Sequence, residues 1–200
     1  MIYLSGHGSK GHRYGLGRML APTRGNIPEP GQVWAADNGC FATPERYSDT
    51  WYLSWLERLA SWRETCLFAT APDVLGDAAA TLALSTPMLP RLAALGYRPA
   101  LVAQDGLEDL PVPWDTFTCL FIGGSTAWKL SAIAADLCAE ARQRGKWVHM
   151  GRCNSRRRLR IARRMLCDSV DGTYVAFAPD RRGPEMARWL AGVQAQQLLW

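Results

Sequence analysis

His149-Met150-Gly151-Arg152 and Asp168-Ser169-Val170-Asp171 flank an Arg-loaded helical segment, and each follows or forms a short apolar run. Four shorter segments upstream end in similar chemistry: Ala36-Asp37-Asn38-Gly39-Cys40-Phe41, Ala71-Pro72-Asp73-Val74, Val102-Ala103-Gln104-Asp105-Gly106 and Phe121-Ile122-Gly123-Gly124-Ser125. Polar groups placed repeatedly at strand C-terminal ends are how a (β/α) barrel assembles an active site.

Working outward, strands are predicted at Ile2–Ser5, Val33–Ala36, Leu67–Ala71, Ala100–Gln104, Cys119–Ile122, Trp147–Met150 and Ser169–Thr173, with a weaker one at Arg18–Ala21. Most are near-continuously apolar, as parallel strands covered on both faces must be. Between them, helical spacing predicts helices over Trp51–Trp62, Asp77–Leu95, Ala127–Arg144, Ser155–Leu166 and Pro184–Leu199. Pro87 and Pro90 should kink or split the second. Ser155 should cap the fourth, which buries Leu159, Ala162 and Leu166.

The alternation implies a parallel sheet in an α/β fold. The preferred form is a compact TIM-like (β/α)8 barrel, with one or two incomplete β/α units near the N-terminus; an open doubly wound sheet is the rival. Gly6 to Pro30 is rich in Gly and Pro and reads as a long loop near the site. The 200 residues form a single domain in this reading, against roughly 250 for a full-sized barrel.

Apolar residues make up 48% of the chain and both charge signs are interspersed, which excludes a disordered class. No apolar run approaches a membrane span of about 20 residues, and no signal core follows the N-terminus, so a cytoplasmic setting is expected. The six cysteines are scattered singly, without the close pairs of a zinc site. His7, His12 and His149 lack metal-ligand spacing, and His149 reads as a satisfied core residue. No metal and no cofactor are expected. Gly6-His7-Gly8-Ser9-Lys10-Gly11 fits GxGxxG only formally, because no helix follows. A basic loop with Lys10, His12 and Arg13 near phosphate is the better reading.

The net charge is +5, and from Arg152 to Arg164 the chain carries no acidic residue. A solvated helix face usually includes acidic i,i+4 partners, so this run points to a phosphate-backbone partner. Arg152, Arg156, Arg160 and Arg163 are the expected nucleic-acid contacts.

The ordered set of Asp, Asp, Gln-x-Gly, Gly-Gly and Met-Gly followed by Asp-x-x-Asp resembles the tRNA-guanine transglycosylase superfamily. It is most similar to the phage branch that places 7-deazaguanine bases in DNA. The superfamily has Asp-Ser-Gly-Gly-Phe where this chain has Asp37-Asn38-Gly39-Cys40-Phe41, which keeps the Asp, the first Gly and the Phe. The resemblance implies Asp171 as nucleophile at the sugar C1′ and Asp37 as the proton-transfer group. It implies a base pocket of Asp73, Gln104, Gly123 and Gly124, with backbone amides of the glycine pair at the ring edge. A carboxylate suits guanine, whose N1–H and exocyclic amine are adjacent donors, and an anion suits an oxocarbenium-like state. If Asp168 only supports the neighbouring strand, Asp168→Asn should be milder than Asp171→Asn.

The tRNA enzymes carry a CxCxxC zinc module with a later His after the nucleophile, and here no Cys or His follows Asp171. The implied activity is therefore exchange of guanine in DNA for a 7-deazaguanine such as preQ0. It would take place in the cytoplasm, or in that of a host cell if the chain is phage-encoded. A DNA glycosylase or nucleoside deoxyribosyltransferase on the same barrel is the second reading. A non-catalytic basic nucleic-acid-binding module is the third.

Overall fold

Eight parallel strands pair in sequence order and close on themselves: β1 (Ile2–Ser5), β2 (Gly17–Leu20), β3 (Trp34–Ala36), β4 (Cys66–Thr70), β5 (Pro99–Ala103), β6 (Cys119–Ile122), β7 (Trp147–Met150) and β8 (Ser169–Gly172). The last strand joins the first with Leu4 opposite Asp171. This closure makes the chain a TIM-like (β/α)8 barrel and removes the open-sheet alternative. The computed structural model describes residues 1–6, 11–22, 27–40 and 44–195, with backbone only at 11 and 12. Lys10, His7, Arg24, Phe41 and the side chain of His12 therefore lie outside the described residues, as does the predicted helix end at Leu199.

Side chains alternate between two apolar layers, as the period of a strand requires. Leu4, Met19, Ala35, Phe68, Ala100 and Cys119 form the lumen core, with Ile2, Leu67, Phe121 and Trp147 against it. Phe68 and Phe121 meet edge to face across the lumen at 6.1 Å. The larger core lies between the strands and the outer helices.

The helices are α1 (Asp49–Arg58), α2 (Ala78–Ala94), α3 (Thr126–Lys129), α4 (Ala132–Gln143), α5 (Arg156–Arg164) and α6 (Pro179–Ala195). Near the N-terminus the β1–β2 connection holds a 3-10 turn, Gly11–Tyr14, and no α-helix among the described residues. The stretch Gly6–Pro30 is not simply a loop, since it contains β2. The β5–β6 connection also lacks an α-helix and uses the 3-10 turns Leu107–Asp109 and Trp114–Thr116.

Four helix expectations need correction. The α2 helix is continuous through Pro87 and Pro90. The buried row Met88, Leu89 and Leu92 anchors the segment containing both prolines, so packing offsets their missing N–H groups. The predicted Ala127–Arg144 helix breaks at Leu130–Ser131, where Ser131 caps α4 by accepting from the Ala134 N–H. The last helix begins five residues earlier than its Pro184 suggested, at Pro179. Leu166 is 51% exposed, because it follows α5 in the left-handed region (φ 58°) and turns away from the core that Leu159 and Ala162 enter.

Candidate active site

Strand ends β3 to β8 surround a pocket of about 130 Å³ lined by Asp37, Asp73, Gln104, Gly123, Gly124 and Asp171, with Lys129, Gly151 and Arg152 among the other walls. Cavities of roughly 150 Å³ accept a benzene ring, so the space is on the scale of a single six-membered ring. All six expected catalytic and base-binding residues therefore face one cavity.

Asp171 is held by its neighbours. His149 is fully buried on β7, with Phe68 and Phe121 rings at 4.9 and 4.5 Å. Its Nε2 lies 3.1 Å from Asp171 Oδ1 and its Nδ1 lies 2.8 Å from Ser169 Oγ. Burial lowers the imidazole pKa, with Asp171 opposing, so the ring is neutral at pH 7. A carboxylate only accepts, which places the proton on Nε2 and leaves Nδ1 to accept from Ser169. Ser169 Oγ in turn accepts from Trp147 Nε1 at 2.8 Å. The relay fixes Oδ1, which also accepts from the Arg152 N–H at 3.3 Å. Oδ2 makes no hydrogen bond among the described residues and is left for chemistry. Sequence reading placed His149 in the core, which is correct, but its link to Asp171 is a tertiary contact that no local pattern carries.

Asp73 is positioned from both sides of its loop. In α2, Ser85 Oγ donates to Pro72 O at 2.7 Å, and Thr81 Oγ1 both donates to Val74 O and accepts from Val74 N. Gln104 Nε2 donates to Asp73 Oδ2 at 2.6 Å, and Asn38 Nδ2 reaches Oδ1 at 3.4 Å. Burial raises the Asp73 pKa, while the Asn38, Cys40 and Gln104 hydrogen bonds hold it down. Cys40 Sγ also reaches Oδ1 at 3.7 Å; a carboxylate has about four acceptor positions, so Oδ2 is the oxygen that retains capacity for a ligand.

Gln104 and the glycine pair are occupied in ways the sequence did not suggest. Gln104 Oε1 accepts from Gly76 N at 3.0 Å and from Gly124 N at 2.9 Å. Gly123 N donates to Ala103 O at 3.0 Å. Both glycine amides are thus committed within the protein, and among the described residues one N–H of Gln104 has no acceptor. The glycines are needed for close packing instead: a Cβ on Gly124, which has φ +69°, would lie 2.6 Å from Asp105 Oδ2 and 2.7 Å from Trp128.

Asp37 follows β3, with its N–H on Leu20 O and its Oδ1 accepting from Gly39 N at 2.8 Å. Its side chain reaches solvent at the rim, yet protein atoms crowd the carboxyl. That desolvation pushes it up to about 6 against the Gly39 N–H, with the charges of Asp73 and Asp171 adding to the rise. A carboxyl in that range can both take and return a proton near neutral pH.

Arg152, exposed and strained at φ 61°, is at the pocket, and Arg158 Nη1 donates to its carbonyl at 2.9 Å. Arg156 is the first residue of α5. The helix then runs away from the mouth, so Arg160 is farther off and Arg163 lies by the Met1 ammonium at the strand-start end, lowering its pKa together with burial. The four arginines do not make one surface around the site. Asp168 also belongs to that far end, where its Oδ2 accepts from Val148 N at 2.8 Å and both oxygens accept from Arg142.

Lys129 is the residue that sequence reading missed altogether. It is 1% exposed, yet its ammonium lines the pocket and donates to Gly151 O at 3.2 Å. Among the described residues no cluster of three or more His, Cys, Asp or Glu could hold a metal ion, and no helix is long and apolar enough to cross a membrane. The six cysteines are free thiols.

No family model and no curated protein sequence matches this chain. Among solved structures it is similar to a protein assigned as a glycerophosphoryl diester phosphodiesterase from Silicibacter pomeroyi DSS-3, at 10% identity and a TM-score of 0.44. The match covers 78% of this chain and 52% of that one, so the chain spans about half the length of that structure. The barrel assignment rests on the strand pairing and owes nothing to this likeness.

Proposed function

We propose that the protein is a pentosyltransferase that exchanges guanine in DNA for a 7-deazaguanine base of the preQ0 type. The observation that carries this reading is the convergence of Asp37, Asp73 and Asp171 from three separate strand ends on one pocket. Carboxylates so placed would weaken a purely electrostatic DNA-binding module, because they repel phosphate. They suit a site that reads donors on a base and stabilises positive charge on a sugar.

In this mechanism the target nucleotide leaves the stack, since its C1′ cannot be reached inside the duplex. Asp73 Oδ2 accepts from the donor edge of guanine at N1–H, and the remaining N–H of Gln104 faces a base acceptor. Asp171 Oδ2 attacks C1′, and guanine departs with the electrons of the glycosidic bond and takes a proton from solvent. The deazaguanine enters the same pocket, Asp37 takes its N9 proton, and N9 displaces Asp171. One glycosidic bond replaces another, so the step needs no external energy source. Arg152 and Arg156, at the mouth end, are suited to the phosphates.

The test is incubation with guanine-containing DNA and a 7-deazaguanine panel, followed by mass analysis of the nucleosides. Guanine release with gain of a deazaguanine nucleoside supports exchange. Guanine release with an abasic product instead assigns a glycosylase, and neither product removes base chemistry from the account.

A further inference from the structure

A buried ammonium that the exchange mechanism does not use needs an account, because desolvating a cation is costly unless it is paired. Lys129 ends the short helix α3, whose Ser125 cap is tied to the β5 loop by two hydrogen bonds to Asp105 (2.6 and 2.7 Å). The cap places the helix, and burial and the Gly151 carbonyl hold Nζ at the pocket wall. It has three donors and makes one hydrogen bond, to Gly151 O, among the described residues. The Asp171 charge favours its protonated form, while burial and the Arg152 charge oppose it.

The order of walls around the pocket identifies what the ammonium meets. With guanine posed as above, N9 faces Asp171 on β8 and the N1 edge faces Asp73 beyond β4. With the O6 side of the purine turned toward Gln104, passing round the ring through N1, O6 and position 7 to N9 would follow the walls from β4 to β8 in turn. Position 7 then falls between the ends of β6 and β7, where Lys129 and Gly151 stand.

We infer that Lys129 is a specificity-determining residue, whose ammonium donates to a hydrogen-bond acceptor at position 7 of the bound base and excludes bases carrying a cation there. The inference rests on the guanine-pocket reading. Guanine itself satisfies the rule through N7, and so does a 7-deazaguanine with a nitrile or carboxamide at C7. Unsubstituted 7-deazaguanine offers only C–H, and a 7-aminomethyl group sets a second cation against the first.

The test is calorimetric titration of the full chain with free guanine, 7-deazaguanine, 7-cyano-7-deazaguanine and 7-aminomethyl-7-deazaguanine, repeated with Lys129→Met and Lys129→Gln. A charge-assisted hydrogen bond corresponds to about 10- to 100-fold in affinity. The cyano base should exceed both the aminomethyl and the unsubstituted base by that factor. Lys129→Met, nearly isosteric and apolar, should remove most of the discrimination, and Lys129→Gln, a neutral donor, should restore part of it. Thermal melts confirm that each variant folds. Bases that bind with no dependence on the C7 group, or an unchanged ratio in both folded variants, would overturn this role while leaving the guanine pocket standing. Failure of every base to bind would remove the pocket reading and this inference with it.

Discussion

His149 Nε2 donates to Asp171 Oδ1 across 3.1 Å from a fully buried position on the adjacent strand, leaving Asp171 Oδ2 as the free oxygen. The neutral ring acts as a fixed donor that orients the carboxylate. His149→Phe keeps the ring volume and removes the donor. A hydrogen bond to a charged group is worth about 1.5–3 kcal/mol, so kcat should fall about 10- to 100-fold with KM for the base little changed. Steady-state exchange kinetics check this, and an unchanged kcat would remove His149 from a positioning role.

Asp37 makes a pH prediction with a definite sign. Its carboxyl keeps its proton to about pH 6 in the folded protein, against roughly 4 in the unfolded chain. Between those values the native state binds more protons, so the contribution of Asp37 to stability falls as pH rises through the window. Asp73 titrates in the same sense. Asp37→Asn cannot titrate, and its denaturation midpoint should decline less than the parent's between about pH 4 and 6. Parallel curves would contradict the shift. Exchange should also rise with pH through about 6, as Asp37 becomes the base.

Gln104 makes a third prediction, because it joins Asp73 to Gly76 and Gly124. Gln104→Ala strips the acceptor from two amides and a donor from a carboxylate. Each buried group left unpaired costs about 1–3 kcal/mol, so urea unfolding should show a loss of at least that size. Gln104→Glu retains the acceptor for both amides but sets a second carboxylate against Asp73. It should recover stability as pH falls, the reverse of a simple packing defect.

Much of the barrel was legible because its strands are nearly continuous apolar runs. Cys119–Ile122 and Trp147–Met150 match to the residue, since both faces of each are covered. The second strand was faint because Gly17-Arg18-Met19-Leu20 sits among glycines and prolines, and closure of the barrel orders it. The α2 prolines misled because tertiary packing outweighs their local cost. For the site, carboxylates at strand ends could be read from alternation and order. The pairing of His149 with Asp171, the occupied amides of Gly123 and Gly124, and the inward path of Lys129 depend on which strands become neighbours, and no single segment encodes that. Sequence proximity groups Arg163 with Arg152, whereas a helix returning to the strand-start end carries them apart.

That separation predicts unequal arginines. Arg152→Ala and Arg156→Ala should each weaken DNA binding and reduce the salt slope by about 0.9, one counterion each. Arg163→Ala, next to Met1, should leave affinity and slope unchanged. Filter binding across a salt series separates these cases, and an equal loss in all three would place DNA along the whole of α5 instead of the barrel mouth.

Attack of Asp171 Oδ2 on the sugar C1′ is the central claim, and intact-protein mass spectrometry after mixing with guanine-containing DNA, with no incoming base, tests it most directly. The account predicts a covalent protein–DNA adduct that maps to Asp171, accompanied by free guanine, discharged when a 7-deazaguanine is added and absent in Asp171→Asn. Deazaguanine exchange at the parental rate by a folded Asp171→Asn variant would contradict it.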